Sequence, residues 1–206
     1  MDSFGIKPGY RCNFETVQPM YSDEASLEYQ QSVYEYAQKF AQKSGVRSVL
    51  DVGCGLGLKL AVYFDPLNID ITGVDVEETI RQCKERHQFG RWISDDLENP
   101  YANLGGPHDM IICADVIEHL NDPDHLLAYL RKWAAPGTSI ILSTPERDLR
   151  RGVEDMGPPQ NTSHVREWNR KEFGAYLTSR GVKIFDHLIV ALRDDKMSCQ
   201  LVHCIV

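Results

Sequence analysis

The segment Asp51-Val52-Gly53-Cys54-Gly55-Leu56-Gly57 constrains the fold of this chain more than any other part of it. It ends a run at 47–52 that is typical of a buried strand, and it leads into a helical pattern that continues to Phe64. Three glycines at alternate positions allow the backbone to turn sharply and let a ligand approach it closely. The segment therefore predicts a strand–turn–helix unit with a nucleotide-type site at the carboxyl end of the strand.

The rest of the chain alternates between strand and helix patterns. Strands are predicted at 47–52, 69–74, 90–94, 109–114, 138–143, 183–192 and 198–206. Helices are predicted after Ser22 to about Ser44, from the glycine turn to Phe64, and at 77–87, 122–133 and 169–180. This alternation predicts a largely parallel sheet covered on both faces, and the short link at 193–196 predicts a terminal hairpin with one antiparallel edge strand. The expected fold class is α/β, a three-layer α/β/α sandwich around a seven-stranded sheet.

Length, charge and cysteine content place limits on the class of protein. A chain of 206 residues fits a single domain, 1–206, with an N-terminal arm and lid-like helix at 1–44 and a core at 45–206. It shows neither an apolar run of membrane-helix length nor a signal-peptide pattern. The net charge of −8 disfavours a nucleic-acid partner, and the six cysteines form no CxxC pair. Three of them, Cys54, Cys113 and Cys204, are expected to be reduced core thiols. We expect a cytoplasmic monomer or homodimer without a membrane partner.

The cofactor prediction depends on the glycine spacing and on one carboxylate. Asp75 ends the second predicted strand, where a carboxylate can accept hydrogen bonds from ribose hydroxyls. A dinucleotide site would need G-x-G-x-x-G/A, but Leu58 or Leu60 occupies the third glycine position, depending on the starting glycine. The pattern therefore favours an adenosine-containing cofactor other than a nicotinamide dinucleotide.

The ordered motifs resemble those of class I S-adenosylmethionine-dependent methyltransferases, which have a Rossmann-like fold. The resemblance covers about 45–206 and includes the glycine turn, Ser94-Asp95-Asp96-Leu97 and a V-x-E-H-L-like segment at 113–120. It implies that Asp51 orients the methionine ammonium and that Asp96 holds the adenine amino group, with Asp95 as the competitor. The cofactor residues implied are Asp51, Gly53, Cys54, Gly55, Gly57, Asp75, Val76, Asp95, Asp96, Leu97, Ala114, Asp115 and Val116.

His119 is the candidate base, because histidine titrates near neutral pH and this one follows the carboxyl end of the fourth predicted strand. Glu118 is the second candidate catalytic residue. The alternative is that Glu118 and His119 only brace the following helix. A further alternative comes from resemblance to small-RNA 2'-O-methyltransferases of the Hen1 type, which implies a divalent metal on Asp115, Glu118, His119 and His164. No metal is assigned to the site in the favoured interpretation.

The predicted loop at 145–168 is long for a connection, which is typical of a lid or a binding segment. Its candidate acceptor residues are Arg147, Arg150, His164 and Trp168, with the arginines expected to clamp an anion. The alternatives are a solvated basic loop and an aromatic side chain that anchors the loop to the core. The aromatic arm at 1–21 is expected either to fold over the cofactor or to pack on the sheet.

The resemblance implies a methyltransferase that uses S-adenosylmethionine, releases S-adenosylhomocysteine and acts on a small-molecule acceptor. The favoured expectation is an O-methyltransferase for a sugar-derived or other small polar, anionic metabolite. The alternatives are a metal-assisted RNA 2'-O-methyltransferase and a non-catalytic partner subunit that only binds the cofactor.

Overall fold

A computed structural model of the protein describes residues 4–17, 23–191 and 197–206. The predicted hairpin link at 193–196 and the predicted helix cap Ser22 lie outside these ranges. The helices are α1 (Asp23–Glu28), α2 (Gln31–Ser44), α3 (Leu58–Tyr63), α4 (Glu77–Arg86), α5 (Pro123–Lys132), α6 (Arg147–Arg151) and α7 (Arg170–Ser179). The strands are β1 (Ser48–Val52), β2 (Asp70–Asp75), β3 (Arg91–Ser94), β4 (His108–Ala114), β5 (Ala134–Pro145), β6 (Ile184–Ala191) and β7 (Met197–Ile205).

The seven strands form one sheet in the order β3-β2-β1-β4-β5-β7-β6. Neighbouring strands from β3 to β5 are parallel, and β7 is antiparallel to both β5 and β6. The expected mostly parallel sheet with a terminal antiparallel strand is confirmed, and that strand, β7, lies one place inside the edge strand β6. Because the parallel strands β1, β2 and β4 lie side by side, their carboxyl ends meet at one edge of the sheet.

Apolar side chains cover both faces of the sheet. Helices α5 and α7 pack on one face through Leu126, Leu130, Phe173 and Leu177. Helices α2, α3 and α4 pack on the other through Val33, Ala37, Leu60, Ile80 and Cys83. The predicted three-layer sandwich is therefore confirmed.

Two predicted helix starts have the expected caps. The Asp122 side chain accepts a hydrogen bond from the backbone amide of Asp124, with Pro123 at the first helical position. Asn169 and Glu172 form a reciprocal capping box at the start of α7. These capping hydrogen bonds fix where α5 and α7 begin.

Two predicted elements differ from the observed ones. The helix expected to extend to Ser44 is divided, because Gln30 has a φ of 58° between α1 and α2. The amide side chain of Gln30 donates to Asp115 Oδ2 at 3.1 Å, which ties the break to the end of β4. The loop expected at 145–168 contains α6, which Glu146 caps by accepting from the amide of Leu149 at 2.6 Å.

The N-terminal arm, residues 4–17, lies along the segment at 153–165, which we call the facing loop. The backbone amides of Arg11 and Asn13 donate to the carbonyls of Met156 and Val165, each at 2.8 Å. Farther along, the amide of Val17 donates to the carbonyl of Thr162 at 3.1 Å. The arm and the facing loop therefore form one continuous wall. Among the described helices, none is long and apolar enough to cross a membrane.

Candidate functional site

A cavity of about 670 Å³ opens at the carboxyl ends of β1, β2 and β4. The glycine turn lies on one side of it, and the end of β4 with the residues that follow lies on another. Thr16 and Val17 of the arm and Thr162 of the facing loop contribute to its wall. The two chain segments predicted to bear lids thus both reach the cavity.

The glycine turn is held against the end of β2 by backbone hydrogen bonds. Gly53 has a φ of 79°, and its amide donates to the carbonyl of Val74 at 2.8 Å. A Cβ atom added to Gly53 would lie 2.3 Å from Cγ2 of Val116. Glycine is therefore required at this position for both conformation and space.

Asp75 lies at the end of β2 and is 8% exposed. Its Oδ2 accepts from the amide of Gly55 at 2.9 Å, and its Oδ1 accepts from the amide of Val76 at 2.8 Å. Burial raises the pKa of Asp75, against the lowering effect of these amides and of a hydrogen bond from the Thr79 side chain. The carboxylate predicted to bind ribose therefore also braces the glycine turn.

The structure distinguishes the two candidate adenine carboxylates, although both line the cavity. The buried Asp95 is fully engaged, since it accepts from the amides of Tyr101 and Ala102 and from the hydroxyl of Tyr129 at 2.9 Å. Asp96 is exposed, and its Oδ1 accepts from the amide of Glu98 at 2.9 Å. This arrangement favours Asp96 as the adenine ligand and Asp95 as the anchor of the loop.

Sequence reasoning missed two side chains near Asp51. Asp51 is 1% exposed and its Oδ2 accepts from the hydroxyl of Tyr34 at 2.7 Å, whereas Tyr34 and Lys59 line the cavity. Burial raises the pKa of Asp51 to about 7, although Tyr34 and Lys59 act to lower it. Among the described residues, none hydrogen-bonds to Asp51 Oδ1. The carboxylate predicted to be the ammonium ligand is therefore hydrogen-bonded to Tyr34, which faces the cavity.

Asp115 occupies the strained position at which the chain leaves β4, with a φ of 53°. The hydroxyl of Ser143 donates to its Oδ1 at 2.6 Å, and the amide of Gln30 donates to its Oδ2. Ala114, Asp115 and Val116, which the sequence suggests as cofactor residues, all line the cavity. A non-glycine residue in this conformation is held by its surroundings, which is typical of a functional position.

Beyond β4, the structure brings together the side chains of Glu118, His119 and His164. Their nearest potential ligand atoms all lie within 4.8 Å of one another, and Asp115 is not part of this group. His119 Nδ1 lies 2.8 Å from the carbonyl of Ser163, and the two imidazole rings meet edge to face. His119 and His164 are thus neighbours, although 45 positions separate them in the printed sequence.

The electrostatic environment keeps His119 neutral. Burial, and then the neighbouring His164, lowers the pKa of His119 to about 4, although the carbonyls of Ser163 and Asp115 oppose this shift. Burial, and then the Asp115 charge, raises the pKa of Glu118 well above its ordinary range. At neutral pH, the His119 ring is therefore unprotonated and offers a nitrogen lone pair to a ligand such as a metal ion.

The four predicted acceptor residues fall into two groups. Arg150 and His164 line the cavity. Arg147 is fully buried, and its guanidinium binds both carboxylate oxygens of Glu172 at 2.7 and 3.0 Å. Trp168 is also fully buried, with its ring stacked on Tyr176. The expectation that Arg147 and Trp168 contact the acceptor is therefore corrected, because both side chains join the loop to the core.

The residues present fit a divalent ion in several respects. Glu118 is 0% exposed, and its Oε1 has no hydrogen-bond partner among the described residues. His164 is oriented by a carboxylate, since its Nδ1 lies 2.6 Å from Glu167 Oε1, as is common for metal-binding histidines. Its Nε2 faces the amide of Asn161 at 2.9 Å, so Asn161 would turn aside for an ion. A carboxylate and two imidazoles are suitable ligands for a transition ion.

The chain matches one protein-family model and is similar in sequence to several known proteins. A family model described as a methyltransferase domain matches residues 23–187. A ubiquinone biosynthesis O-methyltransferase of Pseudomonas paraeruginosa is 27% identical over 154 residues, covering 68% of this chain and 66% of that protein. The enzyme of the same name from Xanthomonas axonopodis pv. citri is 26% identical over 166 residues, covering 74% and 69%. The chain thus spans about two thirds of the length of these relatives.

Solved structures share the fold at low sequence identity. The plantazolicin methyltransferase in complex with a triazolic desmethylPZN analog and S-adenosylhomocysteine superposes with a TM-score of 0.69 at 16% identity, covering 89% of this chain and 85% of that chain. The magnesium protoporphyrin IX methyltransferase of Synechocystis has a TM-score of 0.65 at 15% identity, and the match covers 92% of this chain and 90% of that chain. The methyltransferase domain of a bacterial Hen1 has a TM-score of 0.62 at 23% identity, and the match covers 85% of this chain and 98% of that chain.

Proposed function

The chain belongs to the methyltransferase domain family and uses S-adenosylmethionine as its cofactor, and from that premise we propose that it methylates an oxygen of a small polar, anionic acceptor. The observation that carries the proposal is the single cavity that holds the glycine turn, His119 and Arg150 together. Its volume of about 670 Å³ lies within the range of roughly 300–1,000 Å³ typical of small-molecule sites.

The acceptor side of the cavity supplies the groups that O-methylation needs. His119 lies in the cavity wall, and the free nitrogen of its ring is the candidate acceptor for the proton of a hydroxyl as the oxygen attacks the methyl group. The exposed Arg150 can bind a carboxylate or phosphate of the same acceptor. The names of the curated relatives specify O-methylation, which supports oxygen as the acceptor atom.

The direct test is methyl transfer from labelled S-adenosylmethionine to a panel of small acceptors. The panel contains matched pairs with and without an anionic group, namely hydroxybenzoates with phenols and sugar phosphates with sugars. The proposal expects transfer to the anionic member of a pair, and replacing Arg150 with Met should raise KM more than it lowers kcat. Equal transfer to both members by the wild type and the variant would exclude Arg150 as the anion ligand.

As an alternative to the base role of His119, whose ring has one free lone pair, we propose that Glu118, His119 and His164 hold a divalent ion beside the acceptor. When bound there, the ion would act as a Lewis acid that favours the ionised form of the acceptor hydroxyl. The support is the buried, unpartnered Glu118 Oε1 and the orientation of His164 by Glu167. Calorimetric titration of chelator-treated protein with Zn²⁺, Mn²⁺ and Mg²⁺ tests this proposal, and His164→Ala should abolish the binding. Equal binding by the wild type and the variant would exclude the site.

A second candidate function is metal-assisted methylation of an RNA ribose 2'-hydroxyl. The same three side chains favour it, and the fold is shared with a bacterial Hen1 domain. The net charge of −8 is unfavourable for RNA binding. Methyl transfer to a short RNA, together with RNA affinity that falls steeply with salt, would support this candidate over the small-molecule acceptor.

A further inference from the structure

Lys59 is a charged residue of the cavity wall that the cofactor motifs do not include. It is the second residue of α3, which begins directly after the glycine turn. Its ammonium group lies 5.1 Å from the centre of the Tyr34 ring. Burial lowers the pKa of Lys59, while the carboxylates of Asp51 and then Asp115 favour its charged form. One cation and two carboxylates therefore lie close together beside the glycine turn.

A buried carboxylate, that of Asp51, lies behind Tyr34. Asp51 is 1% exposed, and its Oδ1 has no hydrogen-bond partner among the described residues. The hydroxyl that donates to Asp51 belongs to Tyr34, whose own oxygen can still accept a hydrogen bond from a ligand in the cavity. Asp51 and the Tyr34 oxygen therefore still have acceptor capacity that a cationic group of a ligand could use.

These charges complement an amino acid in its zwitterionic form. The methionyl group of S-adenosylmethionine carries an ammonium and a carboxylate on one carbon atom. The Tyr34–Asp51 pair matches the ammonium, whereas the ammonium of Lys59 matches the carboxylate. Lysine can make this contact because its charge ends a flexible stem that is able to move from the acids to a ligand.

We propose that Lys59 binds the methionyl carboxylate of S-adenosylmethionine, while Tyr34 and Asp51 receive the ammonium. The proposal depends on the cofactor and is independent of the acceptor or of any metal. It assigns selectivity for the amino-acid end of the cofactor to α2 and α3. An adenosine ligand without an amino-acid end gains nothing from Lys59.

The test measures three ligands by calorimetry. S-adenosylhomocysteine carries both charges of the amino-acid end, decarboxylated S-adenosylmethionine keeps only the ammonium there, and 5'-methylthioadenosine has neither. Lys59→Met should weaken the binding of S-adenosylhomocysteine about 10- to 100-fold, as expected for the loss of one charge-assisted hydrogen bond. The affinities for the other two ligands should stay the same or improve. Lys59→Arg should restore most of the loss, and Lys84→Met on the exposed surface of α4 is the matched control.

Two outcomes would overturn the assignment. An equal loss of affinity for all three ligands would mean that Lys59 supports the fold, which a thermal melt of each variant would also reveal. An unchanged affinity for S-adenosylhomocysteine would mean that the carboxylate binds elsewhere. The assay contains no acceptor, so neither outcome affects the proposed O-methylation. Failure of the wild type to bind any of the three ligands would instead contradict the cofactor premise.

Discussion

The Nδ1 atom of His164 lies 2.6 Å from Oε1 of Glu167, and both side chains are buried. Although burial acts to raise it, the hydrogen bond with His164 and the charge of Arg151 lower the pKa of Glu167 overall. An ionised carboxylate can only accept, so Nδ1 carries the proton and Nε2 is the acceptor atom of His164. Nε2 lies 4.0 Å from Glu118 Oε1, so the pair aims one imidazole nitrogen at the proposed metal site.

Replacing Glu167 with Gln should weaken the binding of a divalent ion about 10- to 100-fold, because the amide no longer holds His164 in one tautomer. Calorimetric metal titration measures the change. Glu78→Gln on α4, where Glu78 pairs with Arg81 at the exposed surface, is the control and should bind the ion like the wild type. Identical metal affinity in both variants would remove Glu167 from the site.

Replacing His119 with Ala should lower turnover about 100-fold or more, since a positioned general base contributes about 10²–10⁴. The affinity for S-adenosylhomocysteine should remain near that of the wild type, because the glycine turn and Asp75 are untouched. Steady-state kinetics and calorimetry separate the two effects. His125→Ala, which removes an exposed imidazole on α5, should change neither. Full turnover by the His119 variant would exclude this residue as the base.

The pKa of about 7 for buried Asp51 predicts a pH dependence of both folding and cofactor binding. Because the folded pKa is raised, protonation of Asp51 stabilises the free protein at low pH, and this contribution is lost as pH rises through about 7. The cationic cofactor needs ionised Asp51, so its affinity should rise about tenfold per pH unit up to about 7. Calorimetry from pH 5.5 to 8 measures it, and Asp51→Asn should flatten the profile.

Gly53→Ala should abolish cofactor binding and destabilise the fold. The new Cβ would overlap Val116 Cγ2 at 2.3 Å, in addition to the cost of about 1–2 kcal/mol for a positive φ. Gly137→Ala is a matched comparison, because Gly137 also has a positive φ, 94°, but no atom lies within 4 Å of its Cβ position. Thermal melts of the two variants should differ by the energy of the clash. Equal melting temperatures would contradict the close packing of Val116 on the turn.

Features that depend on a few neighbouring residues were predictable from the sequence. The turn at Gly53, the cap at Asp122 and the capping box at Asn169 each act within one helical turn, so the printed order of residues contains the whole signal. The mostly parallel sheet covered on both faces followed from the alternation of strand and helix patterns. Tyr34 and Lys59 were missed, although a cation directly after the glycine turn, on a helix of otherwise apolar residues, is a usable signal.

The roles of Arg147 and Trp168 depend on partners that lie far along the chain or across the fold. Arg147 is neutralised by Glu172, and the Trp168 indole donates to the carbonyl of Phe4 at 2.8 Å. The local sequence around an arginine or a tryptophan in a loop does not indicate whether the side chain faces a ligand or the core. The break at Gln30 likewise has neither a glycine nor a proline to indicate it.

The pairing of the arm with the facing loop also determines the order in which the site is assembled. Arg11 leaves the ribosome long before Met156, its hydrogen-bond partner, has been synthesised. The wall that the arm and the facing loop form along the cavity is therefore completed only after most of the chain has been synthesised. A variant chain that ends before the facing loop would contain the glycine turn and Asp75 but would lack this wall.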